Sequence, residues 1–383
     1  MSNKPIERGN PLSRNRLLLG ALVATTALAA GAAPVALADQ EARESDRAVR
    51  QGLERLVTAH GFPSAMASVR ERDGRTRFLA PRAGERVPVD GQVRIGSAGK
   101  MFVSAVVMQL VAEGKVDLDA PVETYLPGLV RGEGFDGREI AVHQLLQHTS
   151  GIPEYTDVVA DDVLAIRHTH YEPHELLDVA LARPRTVPQN EKTYYSNTNY
   201  VLAGLLVQRV TGRPLGEEIT RRVIEPLGLR ETYWPGVGEE RIREAHPRGY
   251  VVKDGTRTDI SDLDPSWAWS AGNLVASPSD LNKFLAALVG GRLVAPEQLA
   301  RMQRTVEADR FPSTWHYGLG LMKIDLSCGG HAWGHGGDID GYETRDAVTE
   351  DGRAATVVVT ALPDSNEQVE AVNEVLDTAL CAR

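Results

Sequence analysis

The chain is poor in cysteine, with only Cys328 and Cys381 in 383 residues, so it can hold one disulfide at most. Its 42 Lys and Arg residues form no run and are outweighed by 52 Asp and Glu, for a formal net charge of −10. That balance excludes the basic patch of a nucleic-acid binder or of a protein drawn to anionic membranes. The apolar stretch LLLGALVATTALAA, residues 17–30, has 14 residues, short of the roughly 20 that a membrane span needs. No H-E-x-x-H pattern, internal repeat or low-complexity linker occurs. The length allows two or three domains, or one domain with insertions.

The N-terminus reads as a leader. Arg14 and Arg16 precede the apolar stretch, and ALA ends at Ala38 before Asp39. This is the basic, apolar, small-residue order of a secretory signal, with cleavage expected after Ala38. The expectation is therefore a leader over residues 1–38, a single domain over 39–383 and a secreted product with no membrane association in its mature form. In an oxidising compartment Cys328 and Cys381 are expected to bridge, the alternative being two unpaired buried thiols.

Hydrophobic spacing sketches the fold. Val49, Leu53 and Leu56 fall on one side of an early helix. SAMASVRERDGRTRFLA reads as two strands turned at Asp73-Gly74. From Ser97 to about residue 300 a helical period dominates, interrupted by Pro/Gly loops. Strand signals return late, in WHYGLGLMKIDLS, HAWGHGGDIDGYETRDAVTE and GRAATVVVTAL. A last helix spaces Val369, Val372, Leu376 and Leu380 along one face. The expected class is α/β (α+β): an antiparallel sheet built from both chain ends, flanked by helices, with a mainly helical subdomain over roughly 101–300.

Three motifs carry chemistry. In GSAGKMFVS, Ser97 and Lys100 stand one turn apart at the head of an apolar run. A serine hydroxyl needs a neighbouring base, and a lysine pressed into apolar surroundings loses basicity until it can serve as one. In TYYSNTNYVLAG, Tyr195 and Asn197 sit on a polar loop before an apolar helix. A phenol beside a cation can pass a proton, and Asn197 can hold both the lysine and a substrate carbonyl. In WGHGGDIDGY, His335 stands beside Gly336 and Gly337, which let a backbone come close to a ligand. The cluster RHTHYEPHE gathers His168, His170, His174 and Glu175, but its polar setting reads as a solvated loop.

In this order, S-x-x-K, Y-S-N and H-G-G resemble the penicillin-recognising serine hydrolases: class C β-lactamases, D-alanyl-D-alanine carboxypeptidases and D-specific aminopeptidases. LLQHTSGIPEY and SAGNLVASPSDLNKFLAAL are similar to loops of the same group. YSNTNYVLAG, YGLGL, DLSCGG and the late cysteine are most like the secreted actinomycete carboxypeptidase. The resemblance runs from about residue 50 to 382. It implies a β-lactamase/DD-peptidase-like fold and an acyl-enzyme on Ser97, with Lys100 and Tyr195 as base and acid and with Asn197 and His335 positioning them. It implies an oxyanion hole from the backbone N–H of Ser97 and of Asp338, the residue after Gly337, and places Trp267 beside the substrate pocket.

The chain departs from that carboxypeptidase where the substrate's terminal carboxylate is held. Asp338 and Met322 stand where the resemblance expects a threonine and an arginine. The expected function is a secreted serine D-peptidase acting on small peptides or β-lactams, as a monomer without metal or cofactor. The alternatives are a β-lactamase or esterase, a D-specific endopeptidase or aminopeptidase, and a penicillin-binding receptor without turnover.

Overall fold

A computed structural model of the chain describes residues 29–185, 187–189, 193–253, 255–308 and 311–381. Most of the expected leader lies outside the described residues. Among these residues no helix is long and apolar enough to cross a membrane. One compact unit, Ser45–Ala382, contains everything discussed below.

Its frame is a nine-stranded sheet, antiparallel throughout. The strands are β1 (Ala65–Arg70), β2 (Thr76–Leu79), β3 (Val306–Glu307), β4 (Trp315–Tyr317), β5 (Met322–Asp325), β6 (His331–Gly334), β7 (Gly337–Ile339), β8 (Tyr342–Thr349) and β9 (Ala354–Val359). Their spatial order is β2-β1-β9-β8-β6-β5-β4-β3, with β7 pairing to β8 alone. The sheet thus joins both chain ends through the β1–β9 pair. The Asp73-Gly74 hairpin forms as expected, with Arg70 opposite Thr76.

Five helices frame the sheet and the site: α1 (Ala29–Thr58), α2 (Gly99–Ala112), α3 (Asn197–Thr211), α4 (Pro278–Val289) and α5 (Asn366–Cys381). Strand alternation feeds two cores. Ala355, Val357 and Val359 of β9 face one side, where α1 contributes Val49, Leu53 and Leu56 and α5 contributes Val372, Val375 and Leu376. Ala354 and Val358 face the other side, where α4 brings Leu281, Phe284 and Leu285. A buried amide pins α4 in register: Asn282 donates to Ser68 Oγ at 3.2 Å and accepts from Thr356 Oγ1 at 2.9 Å, joining the paired strands β1 and β9.

The expected helical middle is interrupted by small hairpins. Arg131–Gly132 pairs with Phe135–Asp136, and Tyr250–Lys253 pairs with Thr256–Asp259. The second is largely exposed outside Tyr250, so it leaves no clean apolar alternation in the sequence. The α2 helix is apolar on every side and buried over nearly its whole length, as a helix at the centre of a large core must be.

Cys328, in the loop between β5 and β6, is bonded to Cys381 at the end of α5. The bridge closes a loop 53 residues apart in sequence and ties α5 to the sheet. Replacing both cysteines with serine should lower the free energy of unfolding by up to about 4 kcal/mol, the chain-entropy limit for such a loop. Denaturant titration of the two proteins checks this; equal midpoints and slopes would contradict it.

Candidate active site

The site begins where β7 lies against a turn. Ser97 sits in a 3-10 turn, Gly96–Ala98, that runs directly into α2. A Cβ on Gly337 would stand 1.9 Å from the Ile95 carbonyl oxygen and 2.8 Å from the Ser97 amide nitrogen. A Cβ on Gly96, whose φ is +50°, would stand 2.7–2.9 Å from the backbone of Asp338. Bare backbone on both sides lets β7 lie directly on the serine turn. The peptide groups of Ser97 and Asp338 are thereby brought together at the mouth of a pocket of about 410 Å³.

Lys100 is fully buried one turn into α2. Its Nζ lies 2.8 Å from Ser97 Oγ, 2.7 Å from Asn197 Oδ1 and 2.7 Å from the Ala271 carbonyl oxygen. The rings of Tyr195 and Tyr200 lie 5.0 and 5.5 Å away. Burial lowers its pKa from 10.5 to about 7, against the opposing pull of Glu154 and Asp338. The ammonium form donates to all three oxygens. The neutral amine still has two donors for Asn197 and Ala271 and turns its lone pair to the Ser97 hydroxyl.

Asn197 opens α3 and is held from behind. The Glu154 carboxylate accepts from the Asn197 backbone N–H at 2.7 Å and from its Nδ2 at 3.0 Å, and its other oxygen accepts from the Thr156 N–H. The side-chain amide is thereby fixed with Oδ1 toward Lys100, and a carboxylate caps the positive end of α3. Tyr195 lines the same pocket as Ser97, and burial holds its phenol well above 10, so it is neutral at physiological pH.

His335 has both ring nitrogens occupied within the protein. Its Nδ1 meets the Gly336 carbonyl oxygen at 2.8 Å and its Nε2 meets the Tyr317 hydroxyl at 2.6 Å. Burial and the nearby Lys100 charge lower its pKa from 6.5 to about 3. Only the neutral tautomer with the proton on Nδ1 satisfies the carbonyl, so Nε2 accepts from Tyr317. Tyr317 in turn accepts from His148 Nε2 at 3.1 Å, whose Nδ1 receives the Ser196 N–H at 3.2 Å. His335 has no proton to trade and serves instead to anchor the loop beside β7. Asp346 reinforces it by accepting the N–H groups of His335 and Gly336.

Ser97, Tyr195, Asn197, His335, Gly337 and Asp338 all line the pocket, with Lys100 beneath them. Trp267 does not: it is buried in a 3-10 turn, and its carbonyl accepts from the Tyr155 hydroxyl. Met322 is fully buried and also absent from the lining. The pocket has a different arginine. Arg345 of β8 donates to Asp338 Oδ1 at 2.7 Å and lies 2.5 Å from the buried Glu343. The Glu343 contact lacks hydrogen-bond geometry, and neither carboxyl oxygen has a hydrogen-bond partner. Its carboxyl is pushed up to about 8 by burial, against the pull of Arg345. His168 turns to Glu240, and His170 lies between Glu172 and Asp264; among the described residues no group could hold a metal ion.

Glu154, His148, Tyr317 and Arg345 were not singled out by sequence. Glu154 and His148 lie within LLQHTSGIPEY, and Tyr317 opens YGLGL. These stretches marked the family without revealing which side chains act.

The family model for beta-lactamase matches residues 46–380. The chain belongs to that family. This beta-lactamase-family fold superimposes on a D-stereospecific amidohydrolase from Streptomyces sp. with a TM-score of 0.78 and 40 % identity, covering 85 % of this chain and 97 % of the other. It superimposes on the D-amino acid amidase of Ochrobactrum anthropi SV3 with a TM-score of 0.75 and 25 % identity, covering 88 % and 97 %. Esterase EstB of Burkholderia gladioli is 28 % identical over 73 % of this chain and 78 % of its own length.

The ionisation of Lys100 can be read directly. In the enzyme its side-chain amine should titrate near pH 7, and Glu154→Gln should lower that value further by removing a negative charge that favours the ammonium. Nitrogen-detected NMR of the lysine side chains checks both; titration near 10.5 would contradict the burial argument.

Proposed function

We propose that this protein is an exported D-stereospecific serine amidohydrolase that acts on amides, esters and extended peptides of D-amino acids rather than on peptides ending in a free D-Ala carboxylate. The observation that carries this reading is the Asp338–Arg345 ion pair. A terminal carboxylate next to the scissile bond needs a free cation. Arg345 is the one cationic side chain lining the pocket among the described residues, and its charge is already met by Asp338. Asp338 itself would repel such a carboxylate. The likeness to the D-stereospecific amidohydrolase and the D-amino acid amidase supports the same conclusion, and the leader and the disulfide suit an exported protein.

The chemistry follows from the geometry. Neutral Lys100 takes the Ser97 proton as Oγ attacks the substrate carbonyl. The oxyanion that forms is met by the backbone N–H groups of Ser97 and Asp338, which are preorganised donors. Tyr195, neutral and lining the pocket beside Ser97, relays a proton from Lys100 to the departing nitrogen or oxygen. The carbon–leaving-group bond breaks and acyl-Ser97 remains. Water then attacks the ester with the same groups in reverse roles: its proton passes to Lys100 and from there to Ser97 Oγ as the ester bond breaks, which leaves Lys100 neutral and the serine free. No metal or cofactor enters this scheme.

Two outcomes test the proposal. Acylation should rise tenfold per pH unit below about 7 and level off above it, because only unprotonated Lys100 accepts the proton and His335, neutral above about pH 3, adds no limb. Ser97→Ala should abolish turnover. Among substrates, D-amino-acid amides should be cut at least about tenfold faster than acyl-D-Ala-D-Ala acids, since an unscreened like-charge contact at this range costs a few kcal/mol. Asp338→Thr should move the preference toward free acids, because it removes the repulsion and releases Arg345. A wild-type preference for the free acid that Asp338→Thr leaves unchanged would overturn the assignment.

A further inference from the structure

The catalytic pocket does not end at Trp315. A second cavity of about 460 Å³ shares Pro312, Trp315 and Asn373 with the first and continues along α5. Its floor is apolar, with Ile324 of β5 and Leu376 of α5 beside Trp315. Among the described residues its charge is of one sign: Asp325, Glu370, Glu374 and Asp377 line it, with no Lys, Arg or His.

Two of those acids are already engaged. Asp325 faces Lys323 at 3.4 Å, and Asp377 accepts the Ser327 N–H and hydroxyl. Glu370 and Glu374 are exposed, and the described residues give neither an ion-pair partner. They stand four residues apart on α5, where like charges destabilise a helix. Asn373, at the junction of the two cavities, has a buried amide oxygen with no hydrogen-bond partner. An apolar floor, an unmet acceptor and two unpaired carboxylates in a groove continuous with the serine pocket describe a binding surface that lacks its cation.

We propose that this groove receives the departing end of the substrate, a peptide extension beyond the scissile bond that carries a basic side chain. From Asn366 to Asp377, α5 advances about 16 Å at 1.5 Å per residue. An extended peptide covers that length in four or five residues. The backbone enters past Asn373, apolar side chains rest on Ile324 and Leu376, and the cation meets Glu370 and Glu374. The inference rests on the amidohydrolase reading, because it takes the groove to hold a leaving group.

Three substrates sharing one acyl part test it: D-Phe-NH2, D-Phe-Gly-Lys-NH2 and D-Phe-Gly-Glu-NH2. The wild type should favour the lysine peptide over the glutamate peptide in kcat/KM by about three- to tenfold at low salt, the scale of two exposed ion pairs. The preference should shrink near 1 M salt, where screening acts within about 3 Å. Glu370→Gln with Glu374→Gln should reduce the preference to under about twofold while leaving D-Phe-NH2 hydrolysis unchanged. A wild-type preference already below twofold, or one that survives in the double variant, would overturn the groove. If none of the three is cleaved, the amidohydrolase reading fails instead. The groove is then judged by calorimetric binding of Gly-Lys-NH2 against Gly-Glu-NH2: lysine-selective binding that the double variant loses upholds it, and equal binding overturns it.

Discussion

A lysine buried without a permanent counter-charge is the constraint from which the site is built. The three oxygens around Lys100 Nζ belong to a serine hydroxyl, an asparagine amide and a backbone carbonyl, all neutral. The nearest carboxylate that bears on it, Glu154, acts through Asn197. A carboxylate in direct contact would hold the amine protonated and remove its lone pair. A fully apolar cage would leave three donors unmet. Neutral acceptors with a carboxylate one residue behind them keep the group poised between the two states.

The rest of the architecture keeps that cage dry and rigid. The apolar α2 carries Lys100 into the larger core, and α3 delivers Asn197 from the opposite side. The His148–Tyr317–His335 chain crosses from the turn after the short helix Val142–Leu146 to the loop before β7 and joins the helical region to the sheet. His148 holds φ at +57°, a conformation that few non-glycine residues adopt, and its ring is satisfied on both nitrogens. Strain at this position is sustained because the surrounding hydrogen bonds fix the ring.

Much of this was legible in the sequence, for a physical reason. Ser97 with Lys100, and Tyr195 with Asn197, lie within one helical turn or one loop, so each forms a short motif, and the order of the motifs carried the family resemblance that singled them out. The two-ended sheet could be read because β1 and β9 alternate between two apolar cores. The residues that escaped notice work across long sequence separations. Glu154 meets Asn197 across 43 positions and Tyr317 meets His148 across 169. His335 lines the pocket, and sequence cannot show that both its nitrogens are already occupied within the protein. Trp267 was assigned to the pocket by resemblance, and the fold turns it into the core.

The contact of bare backbone between β7 and the serine turn also limits how this scaffold can change. Any side chain at residue 337 would drive into the Ile95 carbonyl and pry the strand from Ser97, so that position cannot be used to reshape the pocket. The same holds for residue 96, on the other side of the contact. Divergence in what the enzyme accepts is therefore channelled outward, to Asp338, Arg345 and the exposed face of α5, where side chains can be exchanged without moving an atom that touches the reacting carbonyl. The chemistry is fixed by a steric contact, and selection on substrate choice is left free to act around it.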